Sequence, residues 1–141
     1  MTIVSDIMTK NVKVCSPRDT VVKAAKIMQE INCGSVPVCE GKKVVGMMTD
    51  RDIVLNCVAD GKDCNSTHCQ DIMTTDVVTC SPNTDAHECA KTMANHQIRR
   101  IPVIQNGELV GICAIGDLST VNIHVNEAGE ALSQISQPTT H

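Results

Sequence analysis

A chain of 141 residues suffices for one ordinary domain, or for two halves that share a core. No run of about 18 apolar residues occurs, which excludes a membrane-spanning helix. A net charge of −4 and the complete absence of Phe, Tyr and Trp argue against nucleic-acid binding, which needs a basic face and usually stacking rings.

The opening MTIVSDIMTK has no basic stretch followed by an apolar one, so no secretory signal is read and a cytoplasmic location is expected. A short strand is predicted over Val12–Cys15, ended by Ser16-Pro17. Val21, Ala24, Ala25, Ile27 and Met28 recur at spacings of three and four, which predicts a helix over Thr20–Ile31, capped by Asp19 or Thr20 and closed by Asn32-Cys33-Gly34. Ser35–Glu40 and Lys43–Met48 read as strands around a turn, and Asp50–Ala59 as a second helix stopped by Asp60-Gly61. Residues 60–70 are polar and turn-rich and form a linker. Beyond them the pattern repeats: a strand over Val77–Cys80, a helix over Asp85–His96, strands over Arg100–Ile104 and Leu109–Ala114 around Asn106-Gly107, and a helix over Ile115–Ile123. Residues 124–141 read as a tail in which EAGEALSQIS forms a short helix and QPTTH frays.

The repetition is one of sequence as well as pattern. A shift of 65 residues lays DIMT at Asp6–Thr9 on DIMT at Asp71–Thr74, and CSP at Cys15–Pro17 on CSP at Cys80–Pro82. Over residues 6–52 against 71–117, 16 of 47 positions are identical without a gap. Such internal self-similarity marks a duplicated structural unit, here β-α-β-β-α twice, and each copy is too short to bury much alone. The boundaries read as 1–62, 63–123 and a tail at 124–141.

Chemistry concentrates where each copy ends. GMMTDRD, Gly46–Asp52, carries Thr49 and Asp52 at a strand-to-helix junction. Thr-x-x-Asp there makes a capping box, and spacing alone favours that reading. The same geometry would also hold an anion or accept two hydrogen bonds from a ribose diol. GICAIGD, Gly111–Asp117, keeps Asp117 but has Ala114 in place of Thr49, so two such sites would be unequal. Arg99-Arg100 stands where the first copy has Gly34-Ser35. The pair reads either as solvated surface or as a bidentate phosphate clamp.

Thr9 and Thr74, with Met8 and Met73, read by spacing as structural lead-ins whose methionines pack the core. Cys64, His68 and Cys69 offer metal-ligating side chains, but no second Cys pair lies at zinc-finger spacing and no metal is expected. The nine cysteines are odd in number, without an export signal, and read as reduced buried thiols. No nucleophile elbow, HExxH or GxxxxGK[ST] loop is present, so no catalytic residues are assigned and the chain is not expected to be an enzyme.

The doubled DIMT and CSP openings, SVPV and IRRIPV in the middle, and GMMTDRDI and GICAIGDL at the ends resemble a tandem CBS module, of the small stand-alone bacterial type, over about residues 1–123. The resemblance implies an α+β fold of two CBS repeats packed through their sheets about a pseudo-two-fold axis. It also implies a regulatory role: clefts that bind AMP, ADP, ATP, S-adenosylmethionine, and in some members NADH or cyclic dinucleotides. Carried onto this sequence, it assigns ligand binding to Gly46, Met47, Thr49, Asp52, Met73, Thr74, Val77, Val78, Arg99 and Arg100, with Asp52 on the ribose and the arginines on phosphate. A second, weaker site would comprise Thr9, Val12, Lys13, Ala114 and Asp117. A homodimer and a protein target of unknown identity are implied. Two other readings stay open at this point: a structural dimerisation module with vestigial sites, and a thiol or metal sensor.

Overall fold

The computed structural model describes residues 1–119. It divides into two compact units, one formed by Lys13–Val77, the other by Met1–Val12 together with the residues from Val78 on. These units cut across the sequence repeats, because each copy's opening segment belongs to the unit of the other copy. The helix expected over Ile115–Ile123 is described as far as Ser119, and the readings of residues 124–141 lie outside the described residues.

In the Lys13–Val77 unit, helix α1 spans Val21–Ile31. Thr20 is its N-cap, its hydroxyl accepting the Lys23 N–H at 3.2 Å, and Asn32 closes it in the left-handed conformation at φ 53°. Strands β1 (Ser35–Glu40) and β2 (Lys43–Thr49) form an antiparallel hairpin with a bulge after Val38. Helix α2 covers only Asp50–Ile53, and Val54–Val58 continues it as a π-helical segment in which the Ala59 N–H reaches the Val54 carbonyl at 2.9 Å. The uninterrupted helix read over Asp50–Ala59 is thus corrected. The wider turn carries buried Cys57, while Val54, Leu55 and Val58 are 55%, 44% and 59% exposed. A four-residue helix α3, Cys69–Ile72, ends what reads in sequence as linker.

The unit that includes Met1–Val12 repeats this plan. Helix α4 spans Ala86–His96 with Asp85 as N-cap and Gln97 left-handed at its end. Strands β3 (Arg100–Gln105) and β4 (Glu108–Ala114) pair antiparallel around Asn106-Gly107, both at positive φ. Asn and Gly tolerate that conformation best, and the twist it gives suits a tight hairpin. Helix α5 begins at Ile115.

The strands expected at Val12–Cys15 and Val77–Cys80 are each reduced to a single parallel bridge, Cys15 to Val38 and Cys80 to Val103. Proline is the reason. The Cys15 N–H reaches the Pro37 carbonyl and the Cys39 N–H returns to Cys15. The next bond toward the N-terminus would need an N–H on Pro37, and the next toward the C-terminus one on Pro17; neither residue has one. Pro102 and Pro82 impose the same limit around Cys80.

The opposite edge of each hairpin receives the exchanged segment. Thr74 bridges Met47 on β2, and Thr9 bridges Ile112 on β4, each through two backbone hydrogen bonds of 2.8–2.9 Å. The residues before each DIMT complete a helix N-terminus: Thr67 and Cys64 carbonyls accept the Val21 and Val22 N–H groups of α1, and the Thr2 carbonyl accepts the Ala86 N–H of α4. First-turn N–H groups have no partner inside their own helix, so these contacts satisfy donors that would otherwise need water. Each unit has its own core. Val21, Ala24, Met28, Val36, Val38, Met48 and Ile72 fill one; Val4, Ala90, Met93, Ile101, Val103 and Leu118 fill the other.

Candidate ligand site

β2 runs directly into α2, which places Thr49 as N-cap and Asp52 in the first turn. The Thr49 hydroxyl accepts the Asp52 N–H at 3.0 Å, and the Asp52 carboxylate accepts the Thr49 N–H at 3.1 Å. This is the reciprocal capping box, with the carboxylate at the positive end of the helix dipole. Thr74, from the exchanged opening segment, adds its hydroxyl, 3.2 Å from Asp52 Oδ2 and 3.3 Å from Oδ1. Asp52 is half-buried and Thr74 exposed, so the carboxylate stands in a polar rim open to solvent.

Gly46 is buried in the middle of β2. A Cβ there would stand 2.6 Å from Met73 Sδ and 3.0 Å from the Thr74 carbonyl oxygen. Glycine lets the segment carrying Met73 and Thr74 lie flat on the strand, and so sets the distance from Thr74 to Asp52. Met73 packs on the core of this unit, as its spacing suggested. Asp71 of the same DIMT accepts the His68 N–H at 2.9 Å, and Asp6 accepts the Ile3 N–H at 3.2 Å in the other copy. The repeated Asp of DIMT is therefore a turn-closing residue, a role its position in the motif did not reveal.

Of the residues assigned from the resemblance, Gly46, Met47, Thr49, Asp52, Met73 and Thr74 come together here, and Val77 lies at the end of the same unit. Val78, Arg99 and Arg100 belong to the other unit. There Val78 packs on the core, Arg99 is exposed with its carbonyl accepting the Ile115 N–H at 3.0 Å, and Arg100 pairs with Ala114 at the end of the β3–β4 hairpin. Asp117 accepts the Ala114 N–H at 2.8 Å, but Ala114 has no hydroxyl to reciprocate. Gly111 lies against Met8 and the Thr9 carbonyl as Gly46 lies against Met73 and Thr74. Thr9, Ala114, Asp117 and Val12 share this unit, whereas Lys13 falls in the other, where it faces Glu30 at 3.7 Å.

The three candidate metal ligands are divided among different neighbours. Cys64 Sγ lies 3.1 Å from Cys57 Sγ, Cys69 Sγ lies 3.9 Å from Cys15 Sγ, and His68 faces Asp71. Among the described residues no group of three or more such side chains converges. Hydrogen bonding to Cys69, then burial, pushes the Cys15 thiol up. In the other unit hydrogen bonding to Cys113, with burial, pushes Cys89 up to about 12, against an opposing bond from Cys80. Both core thiols are thereby held toward the protonated form.

A model of the CBS domain family matches residues 4–58 and 69–123. The chain belongs to that family and is a CBS-pair module of mixed helices and strands, of regulatory type. It is 40% identical over 141 residues, the whole of both chains, to the CBS domain-containing protein YhcV of Bacillus subtilis. It is 34% identical over 120 residues, 84% of each chain, to Hypoxic response protein 1 of Mycobacterium tuberculosis. Its fold matches a crystal structure of Hypoxic Response Protein I with two coordinated zinc ions, at a TM-score of 0.77 and 34% identity, covering 85% of this chain and 98% of that one. A protein with CBS domains from Burkholderia ambifaria matches at a TM-score of 0.78 and 29% identity, covering 86% and 95%. No described helix is long and apolar enough to cross a membrane.

Proposed function

We propose that this CBS pair is a non-catalytic sensor that binds an adenosine ligand, AMP, ADP, ATP or S-adenosylmethionine, and passes its state to a protein partner. The observation that carries the reading is the Asp52 carboxylate, held at a helix N-terminus by Thr49 and met by the Thr74 hydroxyl. Its rim is polar and partly solvated, so a ribose diol can replace the Thr74 hydroxyl as donor without stranding a buried charge. Met47 and Met73 offer flexible apolar surface for a base in a chain without aromatic rings. Arg99 and Arg100 carry the phosphate recognition that the family resemblance assigns to them. Self-association is part of the proposal, supported by a hexameric CBS-CP12 protein from cyanobacteria that matches at a TM-score of 0.73 and 30% identity; a homodimer is the form proposed for this chain.

Isothermal titration with adenosine, AMP, ATP and S-adenosylmethionine tests it. At least one should bind more tightly than about 1 mM, which corresponds to roughly 4 kcal/mol. Replacing Arg99 and Arg100 by Ala should weaken ATP more than adenosine. Silence toward all four compounds would remove the sensor reading. It would favour the structural module with vestigial sites, for which the capping box alone accounts for Thr49 and Asp52.

A further inference from the structure

Cys57 lies in the π-helical segment that continues α2, fully buried, and Cys64 lies partly exposed in the turn beyond it. Their sulfurs are 3.1 Å apart, the shorter of the two Sγ–Sγ separations given above; the Cys15 and Cys69 sulfurs, at 3.9 Å, are both buried. A disulfide needs about 2.05 Å, so Cys57 and Cys64 have about 1 Å to close. The intervening residues turn tightly, with Gly61 at φ +71° and the Lys62 N–H on the Cys57 carbonyl at 2.9 Å. Cys64 also lines an open cavity of about 460 Å³ with Val22, Lys26 and Ile53. A small oxidant in that cavity reaches Cys64 with the Lys26 cation in the same lining, while the Asp63 carboxylate, next in the chain, acts to raise the thiol.

We infer that Cys57 and Cys64 form an oxidisable dithiol that closes to a disulfide with a small anionic disulfide such as oxidised glutathione. The Cys64 thiolate attacks one sulfur of the small disulfide, forming a mixed disulfide and expelling one small thiolate. The Cys57 thiolate then attacks the Cys64 sulfur and expels the second. Two protein S–H bonds are lost and one S–S bond forms; the two electrons and two protons leave on two small thiols. Hydrogen bonding to Cys57, with burial, raises the Cys64 thiol, so the reaction quickens as the pH is raised above neutrality. The product joins the end of the α2 segment to the turn in front of α3.

The experiment takes the full-length reduced protein through oxidised glutathione, blocks free thiols, and maps disulfides by non-reducing trypsin digestion. Lys62 lies between the two cysteines, so their bond joins two separate peptides that fragmentation assigns to Cys57 and Cys64. The expected result is that link, lost with dithiothreitol and absent from Cys64→Ser, which keeps the native circular dichroism. Cys57 and Cys64 both still alkylated after treatment, or Cys64 joined to another cysteine, would overturn the inference.

Discussion

Thr74 hydrogen-bonds the Asp52 carboxylate across 22 residues, at 3.2 Å from one oxygen and 3.3 Å from the other, although the two residues come from different copies of the repeat. The contact ties the exchanged opening segment to the helix start on which the proposed chemistry depends. Its removal should separate stability from binding. Thr74→Val should cost about 0.5–1.5 kcal/mol, the net worth of one such bond, and leave nucleotide affinity within a few-fold. Asp52→Ala should cost roughly 1 kcal/mol through the lost cap and abolish nucleotide binding. Thermal melts and calorimetry on the same samples decide; an Asp52→Ala protein that binds as wild type would leave that residue a cap only.

Gly46 and Met73 make the second case. Gly46→Ala puts a methyl 2.6 Å from Met73 Sδ and 3.0 Å from a backbone oxygen. The sulfur can move and the carbonyl cannot, so a cost of about 1–3 kcal/mol is expected from overpacking. Met73→Ala should relieve part of it, and a double-mutant cycle by urea unfolding should show coupling of the two changes. Strictly additive costs would mean that the methyl is accommodated elsewhere.

The second copy offers a gain. Asp117 already accepts the Ala114 N–H at 2.8 Å. Ala114→Thr supplies the missing hydroxyl acceptor for a reciprocal box and should stabilise the protein by roughly 0.5–1 kcal/mol. Unfolding midpoints with and without the change measure this. In parallel, Asp117→Ala should reduce nucleotide binding less than Asp52→Ala does.

Among the described residues, acid stability has one clear contributor, Asp19. Burial acts upward on the Asp19 carboxyl, but the Ser16 N–H at 2.8 Å and Lys23 at 3.2 Å outweigh it and hold the group below its ordinary value. A carboxyl depressed by folding contributes stability that is complete above its unfolded value and fades as the pH falls through the folded one. Urea titrations from neutrality into the acid range should therefore show a loss of stability that Asp19→Asn reduces. An acid limb identical in both proteins would contradict the assignment.

Helices, hairpins and the doubled plan were legible in the chain because they rest on local signals. Apolar spacing set α1, the repeat carried that reading to α4, and Asn106-Gly107 needed only its own conformational tolerance. The Thr49–Asp52 box is equally local, three residues apart at a strand end. The short bridges at Cys15 and Cys80 were misread as strands, since one side of each is limited by a nearby proline, Pro17 or Pro82, but the other by a proline more than twenty residues away in β1 or β3. The turn-closing role of Asp71, the π turn after Ile53 and the pairing of Cys57 with Cys64 left no periodic signal to find.

The amino-acid order by itself fixed two equivalent supersecondary units and the inequality between Thr49 and Ala114, because duplication and side-chain chemistry are properties of the string. Only the tertiary structure decided that each copy's opening segment pairs with the other copy's hairpin. Those bridges unite residues that are distant in the chain, and Gly46 and Gly111 leave just enough room for backbone to meet backbone there. Spacing within a copy carries no record of such contacts; their geometry sets which threonine meets Asp52.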